Sequence, residues 1–138
     1  MIPGAEQYPF VVMDPALGSA SSLPYMPIVL AHQHQSVSVM GLLDSASTID
    51  VLPYDVGIQL GFDWAQQTTS VRLTGNLAHL EARVVTMSAT VGRFPPVLLA
   101  FAWTQANTVP VILGQVNFFM EFDVFLSRTR SIFEVKPK

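Results

Sequence analysis

The chain has 138 residues, half of them apolar, with only 12% charged, a net charge of −3 and no cysteine. Disulfides, thiol nucleophiles and thiolate metal sites are therefore excluded, and without a basic cluster a nucleic-acid partner is not expected. The length suits one domain, 1–138, divided into an N-terminal strand and loop (1–24) and a core (25–138). A charged share about half the usual ~25% leaves a greasy surface. Such a surface fits either a permanent partner or simply a compact, weakly charged domain. The opening "MIPGAEQYPF" lacks the basic start and apolar centre of a secretion signal. The longest apolar run, Phe94–Trp103, is too short to span a bilayer and carries two prolines. An intracellular, cytoplasmic protein without a membrane span is expected.

In chain order, Tyr8–Asp14 is a short β-type run and Pro15–Pro24 a loop rich in Gly, Ser and Pro. Tyr25–His32 and Ser36–Asp44 flank the polar "QHQ" and predict a hairpin, and "SVSVM" alternates as a half-buried strand does. Pro53–Phe62 has room for one helical turn, with Gly57 opposing more. "TTSVRLTG" and "LEARVVTMSATV" predict two strands joined around Gly75–His79, and "PPVLLAFAW" and "VPVILG" are apolar runs of strand length. Gln115–Phe122 is the best helix candidate, with apolar residues at 116, 119 and 120, before "DVFLS" and "SIFEVKP" close as a hairpin. Many short strands with turn signals between them predict an all-β barrel or sandwich with one or two short helices.

The stretch "LLDSASTIDVLP" places Asp44 directly after two leucines and before small residues. A carboxylate at the edge of a core is costly unless it is paired or has a task. Taken alone, Asp44 reads as an acid that caps a turn. However, the small residues Ser45, Ala46 and Ser47 leave room for a substrate to approach the backbone. A second apolar strand, Val111–Gly114, ends in glycine, which permits close backbone passage.

Together these segments resemble the retropepsin-like aspartic proteases. "DSASTIDVLP" resembles the Asp-Thr/Ser-Gly-Ala/Ser signature, "IQLGF" the stretch that follows the active-site strand, and "VILGQVNFFMEFDVFL" the second element of two apolar residues, glycine, short helix and strand. The similarity runs from about Tyr25 to Val135 and is strongest with small prokaryotic members. It implies a single-lobe, closed β-barrel of the acid-protease type, in which Ile112, Leu113 and Gly114 form one arm of a psi-shaped crossing. It also implies that the chemistry needs two carboxylates and that this chain supplies one. Two copies would then meet as a homodimer, with both Asp44 residues across a twofold axis, sharing a proton and activating a water against a peptide bond. Ser45 of each copy would bond across the dimer. The partner set is thus a second copy and a polypeptide substrate, with no cofactor and no metal.

The resemblance further implies a lid. Its candidate is the hairpin Val71–Val85, with Gly75, Asn76, Leu77 and Ala78 at the tip as substrate-binding residues; an ordinary surface hairpin is the other reading. Three positions depart from the family pattern: Ala46 stands where Gly is usual, Gln115 where many relatives have Arg, and Ser45 where Thr is commoner. Ala46 and the glycine-poor tip suit a second possibility, a peptide-binding or dimerisation module without turnover. One half of a hetero-assembly, or a domain of a longer protein, is a third. The acids Asp50, Asp55 and Asp63 are expected to serve turns or helix starts, Asp123 to be solvated, and His32, His34 and His79 to be too scattered for a metal motif. The apolar terminal segments Pro9–Met13 and Ile132–Lys136 are expected to help build a subunit interface, or else to pair within one chain.

Overall fold

The computed structural model describes residues 2–138. Twelve strands follow in order: β1 (Glu6–Pro9), β2 (Val11–Val12), β3 (Ser22–Leu23), β4 (Tyr25–His32), β5 (Gln35–Leu43), β6 (Asp50–Leu52), β7 (Ser70–Arg72), β8 (Glu81–Thr90), β9 (Val97–Thr104), β10 (Val111–Leu113), β11 (Phe122–Ser127) and β12 (Ile132–Pro137). Two short helices interrupt them, α1 (Tyr54–Gln59) and α2 (Phe118–Glu121).

The main sheet runs β4-β5-β10-β6-β9-β8-β7, and β4 also pairs with β8, so six strands close into a barrel with β7 attached outside the ring. Alternation decides which side chains fill it. In β4, Met26, Ile28 and Leu30 are buried while Pro27 and Val29 point outward. β4 pairs with β5 from Tyr25↔Leu42 to His32↔Gln35, so the expected hairpin forms with Gln33 and His34 at its tip. Trp103 of β9 is fully buried at the barrel's end, stacked on Tyr54 at 5.6 Å and donating its indole N–H to the Tyr54 carbonyl at 3.2 Å. Burying a side chain of this size contributes on the order of 2–3 kcal/mol. Gly57 lies inside α1, contrary to its expected role as a breaker, because any Cβ there would run into the Trp103 ring.

A second sheet is built from the chain ends in the order β1-β12-β11. Its core residues Phe122, Phe133 and Val135 join Met26, Leu30 and Leu113 in one continuous apolar cluster. Both terminal segments pair within the chain, one of the two expected arrangements, but with different bounds. β1 begins at Glu6, and after Pro9 the chain leaves this sheet, so that Val11–Val12 pairs with β3. β12 is flanked on both sides, by β1 and β11, and has no open edge left for a second copy. The terminal strands therefore pair within the chain, and the edges that remain are β1 and β11.

The helix expected over Gln115–Phe122 shrinks to four residues. Asn117, at φ 81°, breaks the backbone just before it, and its side-chain oxygen accepts from the Ala100 amide at 3.3 Å. The buried residues are Phe118 and Phe122, whereas Val116 and Met120 are exposed.

Candidate active site

β10 enters the sheet between β5, to which it is parallel, and β6, to which it is antiparallel. The chain between β5 and β6 must therefore loop around the end of β10, and Asp44 is the first residue of that loop. Its amide donates to the Leu113 carbonyl at 3.0 Å, its Oδ1 accepts from the Ala46 amide at 3.0 Å, and its carbonyl accepts from the Ser47 amide at 3.1 Å. An Asp whose carboxylate folds back on the amide two residues later makes a self-contained turn. Asp44 is half-buried, while Ser45 and Ala46 are exposed.

The opposite arm is bonded just as closely. The Gln115 amide donates to Ser47 O at 2.9 Å and the Val116 amide to Thr48 O at 2.8 Å. Gly114 has no alternative: a Cβ there would sit 2.6 Å from the Ile49 carbonyl oxygen and 2.8 Å from that of Ser47. The structure thus brings Asp44, Ser45, Ala46 and Ser47 together with Ile112, Leu113 and Gly114 at one crossing. Ala46 needs no left-handed backbone, because the non-glycine residues at positive φ among those described are Gln33, Asn117 and Ser131. Gln115, in the place where an arginine was expected, turns its side-chain amide onto the Ser45 carbonyl.

The hairpin proposed as a lid pairs β7 with β8 at Ser70↔Arg83, Val71↔Ala82 and Arg72↔Glu81. Its tip carries a 3-10 turn at Gly75–Leu77, with Gly75, Asn76 and Ala78 exposed and Leu77 half-buried. Between tip and crossing lies a cavity of about 190 Å³, bounded by Ser47, Thr48 and Ile49 on one side and by Val71, Leu73 and Leu77 on the other. Arg72 is the one charged residue in its lining.

Two features of the site were not read from sequence. The Gln115 clamp is one. The other is Asp50, expected at a turn but found fully buried in β6, paired with Phe101 of β9. Its Oδ1 accepts from the Gly114 amide at 2.7 Å, and Oδ2 has no hydrogen-bond partner. Burial pushes its carboxyl up to about 7, against the lowering effect of the Gly114 and Phe118 amides. The available sequence signal was an acid between Ile49 and Val51, in the register of an apolar strand. Asp63 does cap a 3-10 turn, accepting from the Ala65 amide, and Asp55 lies in the first turn of α1. Asp123 is half-buried within β11 rather than fully solvated. His32 stacks on Phe62 at 4.0 Å, with Nδ1 3.0 Å from the Leu60 carbonyl, and is part of the packing.

A closed six-stranded barrel whose inserted strand β10 makes a psi-shaped crossing beside Asp44 defines the architecture. The fold is that of the retropepsin-like aspartic proteases. The chain superposes on the crystal structure of a retropepsin-like aspartic protease from Rickettsia conorii with a TM-score of 0.65, covering 98% of this chain and 95% of that one, at 12% sequence identity. No family model and no curated protein matches the sequence. The retropepsin-like likeness therefore resides in the fold, and among the described residues no helix is long and apolar enough to cross a membrane.

Proposed function

We propose that the chain is an aspartic endopeptidase that works as a homodimer, each copy contributing Asp44. The observation that carries this reading is the crossing itself. A carboxylate stands at the end of a barrel strand, on a turn hydrogen-bonded to Leu113, in a chain with the retropepsin-like fold. One acid per chain is half of what the chemistry needs. Brought face to face across a twofold axis, two such carboxylates cannot both ionise easily and would share a proton. The ionised partner takes a proton from a water, that water attacks the peptide carbonyl, and the protonated partner polarises the carbonyl oxygen. Later the amide nitrogen takes up a proton and leaves.

The cavity beside the turn supports an extended substrate with an apolar side chain, since Ile49, Val51, Val71, Leu73 and Leu77 dominate its lining. The hairpin tip over that cavity would close on the bound strand and exclude water. Ala46 is exposed and is not at positive φ, so its methyl imposes no backbone strain that would oppose turnover.

The test is hydrolysis of an unstructured protein at mildly acidic pH, with the mass from light scattering read in parallel. Activity that disappears in Asp44→Asn while the dimer mass persists supports the proposal. Cleavage that survives the substitution, or a protein that binds peptide without ever cutting it, overturns it.

A further inference from the structure

The Leu113–Gly114 peptide group is held from both sides. Its carbonyl accepts the Asp44 amide at 3.0 Å, and its N–H donates to the Asp50 carboxyl at 2.7 Å. A peptide group is planar, with carbonyl and N–H pointing oppositely, so it turns as one rigid plate. Whatever Asp50 does to the N–H is therefore transmitted to the carbonyl on which the Asp44 backbone hangs. We propose that Asp50 is a positioning residue, a buried, uncharged carboxylic acid that sets the orientation of the Leu113–Gly114 peptide and through it the placement of Asp44. This deepens the protease reading and rests on Asp44 being its catalytic acid.

Three observations converge on it. Asp50 has no exposed surface, and the bond it makes joins residues 64 apart in sequence, so it ties β6 to the end of β10 rather than serving a local turn. Its Oδ2 has no hydrogen-bond partner, and the Gly114 and Phe118 amides offset a buried negative charge by less than burial disfavours it. The elements packed against it offer no charge either. Residues 94–120, which include β9, β10, the 114–117 loop and most of α2, contain no Asp, Glu, Lys, Arg or His. The nearby titratable groups by sequence are Asp44, Tyr54 and Asp55 on its own segment and Glu121 at the end of α2, and none of them carries a positive charge. The neutral form is thus the one the site accommodates, in keeping with a carboxyl raised by burial to about 7. Above that pH the Gly114 N–H holds the carboxylate more strongly, but the buried charge works against the packing of β6, β9 and β10 around it, and the Asp44 turn loosens with that packing.

Two measurements test this, neither of which depends on peptidase activity. In Asp44→Asn protein, which removes the other carboxyl of the crossing, the Asp50 side-chain carbon is followed by NMR against pH. A midpoint near 7 is expected, and a midpoint in the ordinary carboxylate range overturns the proposal. Amide hydrogen exchange at residue 44 is then compared in Asp50→Leu and Asp50→Asn. Leucine fills the space without an acceptor and should speed exchange at residue 44 about tenfold, whereas asparagine keeps the acceptor and should restore most of the protection. Equal exchange in both variants and the wild type overturns the latch. Where wild-type turnover exists, Asp50→Leu should lower kcat with KM nearly unchanged, and Asp50→Asn should recover kcat and carry the alkaline limb of the pH profile upward. A loss confined to KM contradicts positioning. If Asp50→Leu does not fold, the NMR midpoint and the asparagine pH profile still decide. Activity that survives Asp44→Asn defeats the protease reading alone, because the NMR and exchange results stand apart from it.

Discussion

The crossing and the hairpin tip face each other across one cavity and are built in opposite ways. At the crossing, residues 44–50 are tied to residues 113–116 by backbone bonds from Asp44, Gln115 and Val116 and by the buried Asp50 carboxyl. Around the tip, Leu77, Ala78 and Leu80 donate only to Thr74, Gly75 and Leu77, within the segment itself. Leu73 of that segment is buried in the second apolar cluster with Val51 and Ile112, and half-buried Leu77 and Leu80 pack against the same cluster. A reacting group must be held in place before substrate arrives, while a cover must open and shut and is drawn from the less stable parts of a fold. The bonding pattern is the one that the proposed division, a held acid facing a movable cover, requires.

Substitutions on either side sharpen this contrast. The largest effect is expected from Asp44→Asn, which should reduce hydrolysis by ~10³-fold or more while leaving the proposed dimer and the melting curve intact; assay and light scattering on one preparation check it. Next comes Gly114→Ala, whose added methyl would press on the Ile49 and Ser47 carbonyls at 2.6 and 2.8 Å. Backbone cannot yield there cheaply, so a loss of about 1–3 kcal/mol in urea unfolding is expected.

The pH dependence of stability follows from Asp50. Its carboxyl is raised in the fold from 3.8 to about 7, so between those values the folded chain keeps a proton that the unfolded chain has lost. The contribution is fully present below the lower value and fades as pH rises through the upper one, at roughly tenfold in the unfolding constant per pH unit. Denaturant midpoints from pH 4 to 8 should show this fall in wild type and a flattened curve in Asp50→Asn. The smallest change in stability belongs to the tip. Leu77→Ala should raise KM severalfold while shifting the unfolding free energy by no more than about 1 kcal/mol, since Leu77 is only half-buried. A tip substitution that unfolds the chain, or a crossing substitution that changes KM alone, would break the division of labour.

Much of this site was legible beforehand because its cues are local. Asp44 follows an apolar strand end and precedes small residues, and Gly114 ends an apolar run. Such cues hold wherever the strands go, since a turn of small residues and a glycine at a close approach are short-range necessities. The strands β4 and β5 were equally readable, because one wet face and one dry face impose period-two alternation. Asp50 was misread for the converse reason. An acid is ordinarily placed at a turn or helix start, and only the packing of β9, β10 and Phe118 around Asp50 makes it an interior acid. Gln115 stood out only as a departure from the arginine of many relatives, yet in the fold it grips the Ser45 carbonyl.

The amino-acid sequence by itself determined the β-rich pattern, the acid on its turn, the glycine opposite it and the hairpins formed by chain neighbours. Only the tertiary structure decided that β12 lies between β1 and β11 with no open edge, that α2 starts after Asn117, and that Asp50 reaches a peptide 64 residues away. The physical reason is one of range. Turn chemistry and alternation act between residues adjacent along the chain, whereas desolvation, sheet order and buried hydrogen bonds depend on which distant segments come to lie beside them.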